Sequence, residues 1–325
     1  MKISYPNYYS DFRCIAAACP DSCCHEWEVD VDEASAAFYR TLSGSLGDAL
    51  RKVLKDSPEG TSMEISNSRC PMWRQDGLCR IQAELGHDAL CKTCREFPRI
   101  SHDYGTFAER GLELSCPEAA RLILNWDGAM TEETQPGGSE PDYEEADMAF
   151  LLQSRKTILD YLQTTDHSRA RILATLLSYG EALQAQWDGD EEARFPALSA
   201  LPQSPASPAP LFTFFSDLEI LTDQWRSLLA NPPETAKLPQ QTKALLRYFI
   251  GRHWLQAVSD FDLLGRVCFC VAACIMIGSV DAPIDRAAQL FSKEIENSAE
   301  NLYAILDGTY CAPTLSPEGL RALLS

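Results

Sequence analysis

The chain has 325 residues, 45% of them hydrophobic, and a net charge of −19 from 47 acidic against 28 basic residues. So large an excess of acid argues against the basic face of a nucleic-acid binder, and no run approaches the ~20 consecutive apolar residues of a membrane span. A chain of this length buries roughly three quarters of the surface that its unfolded form exposes, so folding alone requires neither disulfides nor a metal. The start, MKISYPNYYSDF, has no basic stretch leading into an apolar one. No secretory signal is visible there, and the expected location is the cytoplasm.

Residues 1–130 form a cysteine-rich region. Nine of the 13 cysteines lie in the first 116 residues: Cys14, Cys19, Cys23 and Cys24 in one run, then Cys70, Cys79, Cys91, Cys94 and Cys116. In a reducing compartment, thiols at this density point to metal or cluster ligation rather than to disulfides. Alternation of Trp27, Val29 and Val31 predicts a short strand over 26–31. Phe38, Leu42, Leu46, Leu50 and Val53 or Leu54 recur at helical spacing and predict one helix over 32–55. Between Cys70 and Cys79, Asp76-Gly77 predicts a turn that folds the chain back and brings both thiols to one site. Residues 104–115 read as extended, and Pro117 suits the first position of a helix.

Residues 131–145 read as an exposed acidic linker. The stretch 131–150 holds seven acidic residues and no lysine or arginine, with Pro136-Gly137-Gly138 inside it. Residues 146–325 read as helical, with apolar positions three and four apart in 144–163, 168–187, 212–230, 239–258, 261–279 and 284–305. A proline-rich loop near 195–210 interrupts them, with Pro196, Pro202, Pro205, Pro208 and Pro210. The expected fold class is mainly α: an irregular cysteine-rich amino-terminal region with short strands around a metal or cluster site, followed by a helical bundle.

Cys19-x3-Cys23 and Cys91-x2-Cys94 have zinc-type spacing. Cys19-Pro20, Cys70-Pro71 and Cys116-Pro117 repeat the Cys-Pro pair that ends a bacterial ferredoxin cluster run, which favours iron–sulfur. Spacing alone leaves both metals open. Arg13, Arg74, Arg80, Arg95 and Arg99 lie near these cysteines and would offset the charge of a thiolate cluster or hold a substrate carboxylate. His25 is an additional ligand candidate or a structural residue. Cys268, Cys270 and Cys274, in the apolar run VCFCVAACIMI, read as packing residues, and Cys311 as incidental. No HExxH, GxSxG or P-loop pattern is present, and no GxGxxG follows a strand.

The order Cys14-x4-Cys19-x3-Cys23-Cys24-x2-Trp27, then Cys70-Pro71, Leu78-Cys79-Arg80-Ile81, Thr93-Cys94, Phe97-Pro98-Arg99 and Leu114-Ser115-Cys116-Pro117-Glu118, resembles the flagellin lysine-N-methylase family. The helix around Leu245–Trp254 and the stretch 292–302 are similar as well. The resemblance implies methylation of lysine ε-amines on flagellin as protein partner, with S-adenosylmethionine as methyl donor. It also implies an iron–sulfur cluster of the 4Fe-4S type, zinc being the alternative metal. The cysteines that match are Cys14, Cys19, Cys23, Cys24, Cys70, Cys79, Cys94 and Cys116, while Cys91 falls outside the pattern. Eight thiols exceed the four of one cubane cluster, so either two metal sites exist or several of these cysteines are structural.

The radical S-adenosylmethionine spacing Cys-x3-Cys-x2-Cys is absent, Glu26 standing where its third cysteine would be. The nucleotide loop of the common methyltransferase fold is missing too. A donor would then bind in a less familiar way, with its amino and carboxylate groups on a cluster iron. Asp103, Tyr104 and Glu118 lie in the motif-bearing segment, but none is assigned as catalytic base, and an acid at Glu118 suits the first turn of a helix. The alternative from another class is a non-enzymatic cysteine-cluster protein that binds zinc or iron–sulfur for structure, metal handling or redox sensing.

Overall fold

Fourteen helices and two small sheets make up the computed structural model, which describes all residues except 26, 28, 59, 66, 67, 191 and 195–200. At 54% helix the protein is mainly α. The amino-terminal strand β1 (Lys2–Pro6) lies inside a four-stranded sheet, parallel to β6 (Phe107–Leu112) and antiparallel to β7 (Met130–Thr134), with β5 (Arg99–Asp103) outside β6. A three-stranded sheet carries β2 (Val29–Val31), β4 (Gly60–Met63) and β3 (Leu54–Ser57) in that spatial order.

Strand β7 occupies residues that the composition assigns to an acidic linker. Two of its acids are matched across the sheet: Lys2 pairs with Glu132 at 2.7 Å and Arg110 with Glu133 at 3.1 Å. Lys2 stands on the adjacent strand β1 and Arg110 on β6, one strand further, and these opposite charges make the acidic segment a favourable partner there. The expected single helix over 32–55 is two helices, α1 (Glu33–Thr41) and α2 (Gly44–Val53), and the chain then turns into β3. Gly44, at φ +79°, makes the break. Ala36, Tyr39, Leu46 and Leu50 remain buried, whereas Phe38, placed by periodicity on the apolar face, is 43% exposed.

Short helices α3 (Arg80–Leu85) and α4 (Lys92–Glu96) follow, and α5 (Pro117–Leu124) begins at the expected proline. The long α6 (Glu145–Thr164) and α7 (Arg169–Trp187) lie where periodicity predicts them. The prediction over 212–230 resolves into α8 (Ala209–Ser216) and α9 (Asp223–Leu229), and α10 spans Thr242–His253. Residues 195–200 of the proline-rich loop lie outside the described residues, and α8 follows directly on Pro208.

Helix α11 (Leu263–Ser279) is the centre of the large core, with 15 of its 17 residues buried. It packs against α7, α10, α12 (Ile284–Phe291) and α13 (Ala299–Cys311), and α14 (Pro317–Ala322) closes the chain. Helices α7 and α11 approach closely at Gly180, where a Cβ would come within 2.8 Å of Val267. Cys268, Cys270 and Cys274 fill this core as packing residues. The stretch 284–305 is not one helix either: Ser292–Glu296 forms a π-helical segment between α12 and α13. That segment buries Lys293, Glu294 and Glu296, three charged side chains inside a nominally apolar pattern.

Candidate metal centre

A second, smaller core forms between β2, α1, α2 and β4, and the cysteines collect on it. Cys70 and Cys91 are buried there among Val29, Val31, Tyr39, Leu50, Met63 and Met72, with Cys24, Cys79 and Cys94 packed against them. Local chain chemistry delivers each thiol. Cys70 N–H donates to the Cys24 carbonyl at 2.7 Å, which joins the leading cysteine run to the next segment. The Asp76-Gly77 turn forms as expected: Gly77 has φ +80°, Arg74 N–H donates to Leu78 O at 2.9 Å, and Trp73 pairs with Cys79. Asp32 accepts from the backbone of Ser35 at 3.0 Å and of Lys92 at 2.7 Å, and so caps α1 and α4 together. These bonds hold its carboxyl down at about 2 and place Cys91 and Cys94 beside β2.

The sulfurs themselves interact. Cys24 accepts hydrogen bonds from the thiols of Cys23 and Cys70, which pull it well below the ordinary thiol range, while its two donors are pushed up. Cys91 likewise accepts from Cys94 and is pulled down to about 7, while Cys94 rises. Burial raises Cys79, which also feels Cys24 and Cys91. Cys94 feels Cys23 and Cys24 in turn, so six sulfurs share one neighbourhood. Cys14, Cys19 and Cys116 form a second neighbourhood, with Cys23 facing Cys14 and Cys116 as well as Cys24.

Cys91 was outside the family pattern, yet it is 1% exposed and bonded to Cys94. The signal for it was its own Cys-x2-Cys spacing. Among the described residues, all 13 cysteines are free thiols, and no three His, Cys, Asp or Glu side chains stand in a closed metal-binding geometry. The sulfurs meet instead as one hydrogen-bonded pair, Cys91 with Cys94, and one trio, Cys23, Cys24 and Cys70. Their chemistry fits a soft metal or cluster, because thiolates are the ligands such centres use and Cys24 and Cys91 are already disposed to lose their protons. His25 adds an observation of the same kind: its Nε2 is shielded from solvent and has no hydrogen-bond partner among the described residues.

The cations near the leading run come from the far end of the chain. Asp21, two residues after Cys19, meets Arg286 at 2.8 Å, Gln289 at 3.0 Å and Lys293 at 3.3 Å. Burial opposes charge on Asp21, but Lys293 and Arg286 outweigh it and keep the carboxyl low. Gln289 also donates to Ser115 O at 2.9 Å, so one side chain ties the Cys19 loop to the Cys116 loop. Lys293 lies 5.3 Å over the Trp27 ring.

The five arginines singled out by sequence proximity have other partners. Arg13 donates to Ser10 and Phe12 carbonyls, Arg74 pairs with Asp76, and Arg80 with Glu84. Arg95 donates to Leu90 O, and Arg99 lies over Phe12. Around the three acid and phenol candidates the contacts are local. Glu118 pairs with Arg121 at 2.7 Å, Asp103 accepts from Gly105 N–H, and the Tyr104 carbonyl accepts from Tyr143.

A mainly helical protein with a small, separate core organised around clustered thiols is the class that fold and site define. No family model matches the chain, and no solved structure matches it. It is 31% identical over 135 residues to the flagellar biosynthetic protein FliU of Salmonella muenchen, a match that spans 39% of this chain and 80% of that protein. It is similar at the same 31% identity to the lysine-N-methylases of Salmonella typhimurium and Salmonella choleraesuis, over 39% of this chain and 34% of each relative. The chain belongs to the flagellin lysine-N-methylase family. Its match spans about a third of the length of the two lysine-N-methylases. No helix among the described residues is long and apolar enough to cross a membrane.

Proposed function

We propose that the protein is an S-adenosylmethionine-dependent protein-lysine N-methyltransferase that acts on flagellin and carries a cysteine-bound iron–sulfur cluster. Relatives named lysine-N-methylase and FliU support the reaction and the substrate. The observation that carries the metal reading is the convergence of Cys23, Cys24, Cys70, Cys79, Cys91 and Cys94, sulfurs from four separate segments, on one small core. These residues would hold the group, with Cys14, Cys19 and Cys116 as a second set. When bound, a cluster supplies a redox-active, Lewis-acidic iron centre.

The chain's own residues set the conditions for methyl transfer. A lysine amine, with a solution pKa near 10.4, must lose its proton before it attacks a methyl group. Glu113 directly follows β6, the strand leading from the sheet towards Cys116, and burial raises its carboxyl towards the range of a proton acceptor. Arg252 stands 3.5 Å from it and limits that rise.

The test is incubation of anaerobically purified protein with S-adenosylmethionine and recombinant flagellin, followed by peptide mass spectrometry. Methylated lysines are expected. Unmodified flagellin in the presence of fully metal-loaded protein would refute the reading. A second reading, a non-enzymatic cysteine-cluster protein with zinc or iron–sulfur, is favoured by the paired, proton-sharing thiols, which also suit redox sensing. It predicts metal uptake without methyl transfer, colourless for zinc and brown for iron.

A further inference from the structure

Away from the cysteines, a cleft of about 1200 Å³ opens between the four-stranded sheet and helices α6 and α10. Small-molecule sites typically occupy about 300–1,000 Å³, whereas a cavity beside His253 and Phe269 measures only about 40 Å³. The loop Trp126–Ala129, between α5 and β7, forms part of the cleft wall, and Tyr8 is among its lining. The lining carries six lysines and arginines against four aspartates and glutamates.

Ion pairs neutralise five of those six cations: Lys2, Arg110, Arg155, Lys156 and Arg252 each meet a carboxylate. Arg247 is the sixth, and among the described residues it forms no ion pair. It donates only to neutral oxygens, the Trp126 carbonyl at 3.3 Å and Gln163 Oε1 at 3.0 Å. Asp127 on the same wall acts on it through space, but a half-buried guanidinium bonded only to neutral oxygens keeps an incomplete fork, which a carboxylate completes through two parallel hydrogen bonds.

Trp126, whose carbonyl accepts from Arg247, lines the same cleft. Trp126 is held by its own Nε1–H to Ala129 O at 3.0 Å and by Tyr8, edge to face, at 5.5 Å. Gly128, at φ +99°, lets the loop lie against the arginine, since a Cβ there would approach Arg247 Nε to 3.0 Å.

We propose that this cleft binds a small molecule bearing both a carboxylate and a flat heterocycle, the carboxylate on Arg247 and the ring against Trp126. Resting on the methyl-transfer reading above, S-adenosylmethionine is the ligand, since it carries both groups.

The experiment is a calorimetric titration of the full, anaerobically purified protein with S-adenosylhomocysteine, which keeps the carboxylate and adenine but has no methyl to transfer. Wild type binds, and R247Q and W126L each weaken binding by roughly tenfold or more, the size of one charge-assisted contact. R247K recovers part of the loss, and iron content stays at its wild-type value in all three. If R247Q does not fold, R247K and G128A, which crowds the same guanidinium, carry the comparison. Wild-type affinity in every variant would place the donor elsewhere, for instance on a cysteine-bound iron, and overturn the cleft assignment while methyl transfer stands. Absence of binding to wild type would overturn both.

Discussion

Around α11, Cys268, Cys270 and Cys274 are enclosed by apolar side chains, and burial pushes all three thiols up, Cys268 to about 12. On the small core, Cys24 and Cys91 are pulled down, because other thiols donate hydrogen bonds to them and outweigh burial. The same residue type is inert filling in one region and a poised donor in the other. The difference lies in whether a neighbouring thiol donates a hydrogen bond to the sulfur, as Cys23 and Cys70 do to Cys24 and Cys94 does to Cys91.

The largest test of that contrast is substitution in each core. Cys24→Ser is expected to abolish most iron binding, and Cys91→Ser to lower it by more than half, read as iron per chain and absorbance in the blue. Cys270→Ala should leave iron content unchanged and lower stability by only about 1 kcal/mol, as a small buried truncation does. Full iron in the Cys24 and Cys91 variants, or loss of iron on changing Cys270, would erase the distinction between the regions.

Next in size is the contact that joins the two regions. Lys293 and Asp21 have side chains 1% and 10% exposed, so Lys293→Met strands a buried carboxylate. Breaking one side of such a pair costs about 3–5 kcal/mol, visible in a urea midpoint. Arg286 and Gln289 still hold Asp21, which favours the lower end of that range. Iron retention should fall together with stability, and Lys293→Arg should restore part of both. Unchanged stability in Lys293→Met would mean that the helical region does not brace the Cys19 loop.

A smaller effect is a pH dependence on the sheet side. Burial lowers His102 to about 4, with Arg252 and His253 adding to the effect and Glu109 opposing it. Its folded pKa thus lies below the unfolded value near 6.5. The unfolded chain therefore binds a proton first, and stability present above pH 6.5 is lost as pH falls towards 4. The loss is of the order of 2–3 kcal/mol, and His102→Phe should flatten the curve over that window. An identical slope in the variant would remove His102 as its source. The smallest expected change is Lys2→Ala, whose exposed pair with Glu132 is worth at most about 1 kcal/mol. A loss well above that would show that the acidic strand β7 depends on this one pair.

Several elements were legible because their signals are local. The start of α5 at Pro117, the Asp76-Gly77 turn, α6, α7 and the buried α11 all follow from conformational preference or from apolar spacing within a few turns. The helices over 32–55, 212–230 and 284–305 were over-extended for a corresponding reason. Periodicity does not register Gly44 in the left-handed region, nor Glu294, whose carboxylate accepts from Leu221 and Thr222 N–H where α9 begins. Of the candidate site, the cysteines were readable as residues, but the brace of Arg286, Gln289 and Lys293 was not. Its members lie more than 260 positions from Asp21 and carry no motif of their own.

By itself, the amino-acid order determined a mainly helical chain, a cysteine-dense first third and one largely apolar helix, because spacing and intrinsic preference act over a few residues. Tertiary structure alone decided that an acidic stretch becomes strand β7, that Arg286, Gln289 and Lys293 converge on Asp21, and that Arg247 faces a cleft without an ion pair. Each of those outcomes depends on which charges lose their water together, and that is set only when distant segments pack.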